Sequence, residues 1–309
     1  MAEIPPGLAP GSRATYAEMA RLGLLDDEGE TTVEEVRRSA AAEAPLHGEA
    51  PPVARVEEHR IETDAGPLPL RVYWPGGRPE RAILWIHGGG WVIGSLAECD
   101  ADCRRLCVDT GSLVVAVDYR LAPEHPFPAG LEDCHAALGW LAGELGSSYS
   151  PRRLVVGGDS AGGNLTAALC LLARERGGPR IDGQLLIYPV ADDDFETASY
   201  REFGEDHVLT AESMKLFWHS YVGAGEAPEL AAVLRARDLR GLPPAIVVIA
   251  GSDVLRDEGE AYAERLREAA VPVDVLRYPG ELHGFWSYGA VSEMPRVVNA
   301  AIAERLRAA

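Results

Sequence analysis

Three residue types, far apart in the chain, could together perform acyl transfer. Ser160 stands in Gly158-Asp159-Ser160-Ala161-Gly162, a G-x-S-x-G pentapeptide. Before it comes an apolar run, Leu154-Val155-Val156, and after it an alanine- and leucine-rich segment of helical spacing. Strand, sharp turn and helix is the setting in which such a serine becomes a nucleophile. A side chain projected from so tight a turn has a strained backbone, so Gly158 and Gly162 must lack bulk. The following helix offers free N–H groups and the positive end of its dipole where negative charge develops on attack. The plainer alternative is a Ser/Gly loop that only joins strand to helix.

A serine hydroxyl needs a base, and the base needs a carboxylate to hold its tautomer. After Ser160 the histidines are His207, His219 and His283. The first two fall in an aromatic-rich insertion. His283 follows the last strand-like segment, in Pro279-Gly280-Glu281-Leu282-His283-Gly284-Phe285, and is the expected base. The chain order serine, acid, histidine puts the acid after the preceding strand, Ala245 to Gly251. Asp253 is preferred there to Asp257 and Glu258, which are expected to open a helix.

His87-Gly88-Gly89-Gly90-Trp91 also follows a buried strand. Three glycines let backbone N–H groups approach a ligand atom unobstructed. In this place they would join the N–H after the nucleophile in an oxyanion hole. A phosphate loop competes weakly, since neither G-x-G-x-x-G in a βαβ context nor G-x-x-x-x-G-K-[ST] is present. His87 is expected to brace the loop rather than to catalyse.

These residues need a rigid sheet. Arg55–Thr63 and Leu68–Trp74 alternate apolar and polar residues, as antiparallel edge strands do, with a turn at residues 64–67. From Arg81 onward the pattern becomes short continuous apolar runs: Ala82–Ile86, Leu113–Val117, Leu154–Val156, Leu185–Tyr188 and Ala245–Ala250. Helical stretches Leu96–Thr110, Gly130–Leu145 and Ala161–Arg176 lie between them. Val271–Tyr278 is expected as the last strand and Pro295–Arg307 as a terminal helix. The alternation predicts an α/β fold, a mostly parallel central sheet flanked by helices. Ahead of it, Ala14–Leu25 and Thr32–Ala42 have helical spacing, with a capping start at Thr31 to Glu35 and a proline linker at residues 44–52. Residues 192–223, with Phe217, Trp218 and Tyr221, break the alternation. Residues 1–52 and 191–224 are therefore expected to form one helical cap on a core of residues 53–190 and 225–309, the alternative being an ordinary crossover helix with core aromatics.

The chain has 309 residues and a formal net charge of -19. That opposes binding to nucleic acid or an anionic membrane surface. Lys215 is its only lysine. The N-terminus lacks a basic and apolar leader pattern, and no apolar run is long enough to span a bilayer. Five cysteines at irregular spacing suit a reducing cytoplasm. Cys99, Cys103 and Cys107 recur every four residues, expected as a core-facing helix stripe rather than a metal or redox face.

H-G-G-G at His87–Gly90, Y-R-L-A-P-E-H-P-F-P-A at Tyr119–Ala129, G-D-S-A-G-G-N at Gly158–Asn164, D-x-L-R-D-E-G at Asp253–Gly259 and H-G-F at His283–Phe285 occur in that order. Together they resemble the hormone-sensitive-lipase family of carboxylesterases, in its G-D-S-A-G branch. The similarity runs from about Pro67 to the C-terminus. It implies an α/β-hydrolase fold with a helical cap and a serine esterase acting on short- to medium-chain acyl esters. It also implies a Ser160, Asp253 and His283 triad, and oxyanion donors at Gly88, Gly89 and Ala161 with Gly90 flanking. Val254 departs from the proline usual after the aspartate. Arg120, Glu124 and His125 receive no chemical role. No metal or organic cofactor is expected. Trp91, Asp159, Phe203, Phe217, Trp218 and Phe285 are candidate substrate-pocket residues because they flank the motifs or lie in the cap. An amidase or lactonase on the same triad, and a non-catalytic small-molecule receptor of the same fold, are the alternatives. The last strand would be an unpaired edge and a possible homodimer seam.

Overall fold

A computed structural model describes residues 3–25, 32–145, 149 and 151–308. The described strands form an eight-stranded sheet in the order β1-β2-β4-β3-β5-β6-β7-β8. Strands β1 (Arg55–Thr63) and β2 (Gly66–Trp74) make the antiparallel hairpin, with Thr63 opposite Gly66. Strand β2 also pairs antiparallel with β4 (Leu113–Val117). From there β3 (Arg81–Ile86), β5 (Arg153–Asp159), β6 (Gly183–Ile187), β7 (Ala245–Ser252) and β8 (Val273–Leu282) run parallel.

The continuous apolar runs have a simple cause. In β3, Ala82, Leu84 and Ile86 enter one buried layer while Ile83 and Trp85 enter the layer on the opposite face. Strands β4 and β7 divide their side chains in the same way. A strand covered on both faces has no reason to alternate with polar residues. The layers are closed by α4 (Asp100–Thr110), α5 (Ala129–Trp140), α6 (Ala161–Arg176), α9 (Arg256–Glu268) and α10 (Met294–Ala308). The cysteine stripe of α4 faces inward as expected, and all five cysteines are free and buried. Helix α4 starts at Asp100 rather than Leu96; residues 96–99 form a turn ahead of it, with the Ser95 hydroxyl accepting the Glu98 N–H (3.3 Å) and the Ser95 carbonyl the Cys99 N–H (3.2 Å). Strand β8 outlasts its expected end at Tyr278. A register shift between Ala250 and Ser252 lets it pair again, Ser252 opposite Leu282.

The N-terminal part contains α1 (Pro10–Arg21), α2 (Val33–Ala42) and α3 (Ala44–His47). Thr32 and Glu35 complete a capping box at α2; Thr31 lies outside the described residues. The expected linker after Ala42 holds the short α3, which tolerates Pro45 in its first turn. The insertion contains α7 (Ala198–Phe203) and α8 (Ala211–Val222), each capped by a threonine side chain.

Named contacts hold the N-terminal helices to the sheet. Arg37 donates to the carbonyls of Val92 (3.0 Å) and Ala122 (3.1 Å) and forks onto Glu124 (2.7 Å). Ser12 donates to Glu281 (2.6 Å) and accepts the Leu282 N–H (2.9 Å). Buried Arg105 donates to Asp102, to the His47 carbonyl (2.8 Å) and to the Ser287 carbonyl (3.1 Å). It thereby joins α3, α4 and the loop after β8. Arg105→Met would leave Asp102 as a buried carboxylate without its main partner. We expect it to lower the free energy of unfolding by about 3 kcal/mol, read as a reduced urea midpoint; an unchanged midpoint would contradict this account of the joint.

Candidate active site

Ser160 sits between β5 and α6 with φ 53° and ψ -120°. This left-handed conformation is costly for a non-glycine residue and persists only where the surroundings impose it. Here they do. The Ser160 N–H donates to the Ile187 carbonyl at 2.9 Å. A Cβ on Gly162 would stand 2.0 Å from the Ile86 carbonyl oxygen, and one on Gly158 would stand 2.4 Å from the carbonyl carbon of Gly162. The glycines of the pentapeptide thus allow strand β3 and helix α6 to close on the turn.

The three residues separated in sequence meet at this point. His283 Nε2 lies 3.0 Å from Ser160 Oγ, and His283 Nδ1 lies 2.7 Å from Asp253 Oδ2. The Asp253 carboxylate is fully buried and its Oδ1 accepts the Leu255 N–H at 3.0 Å. With the carboxylate accepting the Nδ1 proton, Nε2 is left to accept from the serine hydroxyl. The rival acids point elsewhere: Asp257 accepts the Ser199 N–H (2.8 Å) and Glu258 the Ala191 N–H (2.7 Å). Of the other histidines, His207 turns to the Glu205 carbonyl (2.9 Å) and His219 is exposed on α8. His87 stacks on Tyr119 at 4.3 Å and bonds the Gly88 carbonyl (2.8 Å), bracing its loop as expected. Arg120 is also a brace, forking onto Asp133.

The glycine loop corrects two expectations. The Gly88 N–H donates to Asp159 Oδ1 at 3.1 Å and is therefore not free for a substrate oxygen. The Gly89 and Gly90 N–H groups have no acceptor among the described residues. Both sit at positive φ, 104° and 57°, and a Cβ on Gly90 would collide with the Phe217 ring at 2.4 Å. Ala161 is the first residue of α6, where a helix leaves its N–H groups unpaired. Three open amides therefore belong to Gly89, Gly90 and Ala161. Asp159, for its part, borders the cavity while its Oδ1 holds the loop. Burial first, and the nearby Asp102 charge second, push its carboxyl up to about 7.

A cavity of about 630 Å³ opens over Ser160 and His283. Among the expected pocket residues only Asp159 and Phe217 border it. Trp91 stacks face to face on Tyr221 (4.2 Å) and packs against Trp218 (4.9 Å), so both tryptophans fill the core beneath the insertion. Phe203 packs on His207 (5.1 Å), and Phe285 lies under Tyr188 and Tyr278. Nearness in sequence to a motif did not decide which face of an element they occupy. The walls come instead from Met19, Val36, Glu43, His47, Tyr188, Met214 and Tyr288, contributed by the N-terminal helices, by α8 and by the segments that follow β6 and β8. Of these only Tyr188 carried a sequence clue, its place at the carboxyl end of a parallel strand.

Residues 83–287 match the model of a family with the alpha/beta hydrolase fold. The chain is 44% identical over 242 residues to the carboxylic ester hydrolase LipN of Mycobacterium tuberculosis, covering 74% of this chain and 64% of that protein, just under two thirds. It is 39% identical to the carboxylesterase NlhH of the same species over 83% of each chain. The ester hydrolase EH1AB1 from the metagenome of Lake Arreo superposes with a TM-score of 0.90 at 35% identity, covering 97% of this chain and 98% of that one.

The Asp159 carboxyl carries a pH signature. Its folded pKa is raised above the unfolded value of about 3.9, so between about pH 4 and pH 7 the folded protein binds more protons than the unfolded one. That contribution makes stability fall as pH rises. Asp159→Asn removes it while keeping an acceptor for the Gly88 N–H. The stability of the variant relative to wild type should therefore rise between pH 4 and pH 8, by up to about 4 kcal/mol. Urea titrations at both pH values measure this; a difference independent of pH would contradict it.

Proposed function

The chain belongs to the α/β-hydrolase-fold family, in its hormone-sensitive-lipase-like branch of carboxylic ester hydrolases, and on that premise we propose that Ser160, His283 and Asp253 hydrolyse esters through an acyl-enzyme. His283 Nε2 takes the Ser160 proton as Oγ attacks the acyl carbonyl. The N–H groups of Gly89, Gly90 and Ala161 receive the developing oxyanion, and Asp253 stabilises the imidazolium. His283 then gives its proton to the departing alcohol, and water repeats the sequence on the acyl-serine. The observation that carries this reading is the pair of hydrogen bonds at 3.0 and 2.7 Å running from serine through imidazole to a buried carboxylate. No step requires a metal or an organic cofactor.

We read residues 1–52 and 191–224 as one cap, since Met19, Val36, Met214 and Phe217 border the same cavity as Ser160. A cavity of about 630 Å³ with these apolar walls suits short- to medium-chain acyl groups. Free buried cysteines fit a reducing, cytoplasmic setting, and among the described residues no helix is long and apolar enough to cross a membrane. Strand β8 is an edge of the sheet, and the Gly280 carbonyl at its far end accepts the Ala9 N–H (2.8 Å). We propose the remaining open stretch as the seam of a homodimer.

Ser160→Ala should abolish turnover of nitrophenyl esters across a chain-length series, and Asp253→Asn should reduce kcat by about 10⁴-fold. Retained turnover in the Ser160 variant would remove that residue from the mechanism. An amide hydrolysed as fast as the matched ester would reassign the leaving-group class. In light scattering the dimer reading requires twice the chain mass; a monomer at working concentration removes it.

A further inference from the structure

One short segment grips the strained Ser160 from behind. The Ser160 N–H donates to the Ile187 carbonyl (2.9 Å), and the Ser160 carbonyl accepts the Val190 N–H (3.2 Å). Both backbone polar groups of the serine therefore bond to the chain that leaves β6. This strap is itself strained. Tyr188 stands at φ 34°, a left-handed conformation that a bulky residue keeps only where its surroundings impose it. The Tyr188 N–H is tied to the Val248 carbonyl of β7 (2.7 Å), and Val190 and Ala191 are fully buried.

The far end of the strap is held from three sides. Asn164, in α6, donates through Nδ2 to the carbonyls of Val190 (3.1 Å) and Ala231 (2.8 Å). The Ala191 carbonyl accepts the Leu234 N–H (2.9 Å). The Ala191 N–H goes to Glu258, whose Oε1 accepts it at 2.7 Å. Glu258 lies in the first turn of α9, is 2% exposed and takes no part in the proton transfers derived above. The groups that face it are the Ala191 and Asp192 amides, the Asp192 and Asp253 carboxylates and the Tyr200 hydroxyl. Burial raises its carboxyl well above the usual range; the two amides oppose the rise, and the charges of Asp192 and Asp253 add to it. A carboxyl kept neutral accepts through its carbonyl oxygen, as a glutamine amide does.

We propose that Glu258 is a positioning residue for the nucleophile: by accepting the Ala191 N–H it fixes the strap of residues 187–191 to α9, and the strap holds the Ser160 backbone so that Oγ stays 3.0 Å from His283 Nε2. Glu258 touches neither the cavity nor a reacting atom; its effect passes through the two backbone hydrogen bonds of Ser160. Slack in the strap becomes slack at the hydroxyl, and a misplacement of about 1 Å at a reacting group costs up to about 100-fold in rate. The inference rests on the ester-hydrolase reading of Ser160, His283 and Asp253.

The test compares Glu258→Met, which keeps the bulk and removes the acceptor, with Glu258→Gln, which keeps the acceptor. Rates are taken per site, the sites being counted by complete reaction with an irreversible serine-directed phosphonate. We expect Glu258→Met to lose about 10- to 100-fold in kcat for nitrophenyl acetate and a similar factor in the rate constant of phosphonylation, which reports the serine without a deacylation step. Glu258→Gln should stay close to wild type in both. A residue that only supported the fold would lower the urea midpoint and leave both rates per site unchanged; that result in Glu258→Met overturns the proposal. So does a Glu258→Gln variant as slow as Glu258→Met. If Glu258→Met does not fold, Glu258→Asp, whose carboxyl is drawn back by one methylene, decides instead: a loss of about tenfold in both rates supports the proposal, and unchanged rates overturn it. A wild type that neither hydrolyses nitrophenyl acetate nor takes the phosphonate would sink the ester-hydrolase reading, and the proposal with it.

Discussion

The site depends on one close approach: the backbone of Gly162, at the start of α6, against the carbonyl of Ile86 at the end of β3. Nothing larger than a hydrogen fits there. Because they touch, the turn between β5 and α6 is too tight for a relaxed residue, and Ser160 is held at positive φ with its hydroxyl standing clear of the backbone. The same approach brings the first N–H of α6 beside the glycine loop that follows β3. Nucleophile and amide cradle are therefore two outcomes of one packing contact. The strain is sustained by the parallel strands on either side, whose side chains are buried on both faces of the sheet.

A second layer of organisation joins the N-terminal helices to the loops of the site. Arg37 reaches the carbonyl of Val92, just past the glycine loop. Ser12 grips Glu281 and Leu282, immediately before His283. Arg105 binds α3 and the loop after that histidine through two carbonyls. Helices that would otherwise sit loosely on a sheet edge are tied at the places where the chemistry is placed. The joints use arginine, whose planar fork can satisfy several acceptors at once.

The fold, and the residues that meet at Ser160, were legible because their signals are local. G-D-S-A-G-G-N needs only its own strand and helix to be understood, and chain order chose His283 over His207 and His219. Asp253 was legible for the same reason, as the residue that ends a strand. The oxyanion loop was read one residue early, because spacing alone does not show that the Asp159 carboxylate already occupies the Gly88 N–H. The pocket was read least well. Trp91, Phe203, Trp218 and Phe285 stand near the motifs or in the insertion, yet each packs into protein interior rather than cavity. Glu43 and Tyr288, some 245 positions apart, meet only through packing of the N-terminal helices on the loop after β8. No periodicity announces such a meeting.

Asp253 and His283 each directly follow one member of a paired couple, Ser252 on β7 and Leu282 on β8. The pairing resumes there only after an irregularity in the ladder. A slip of one residue between these two strands would turn one of the two side chains to the opposite face, while the secondary-structure content would barely change. Circular dichroism would miss such molecules. Titration with an irreversible serine-directed phosphonate would not, since it counts only those in which base and acid still meet the nucleophile. The ladder irregularity beside Asp253 and His283 thus makes titratable sites, rather than helix and strand content, the sensitive report on whether the last two strands have aligned.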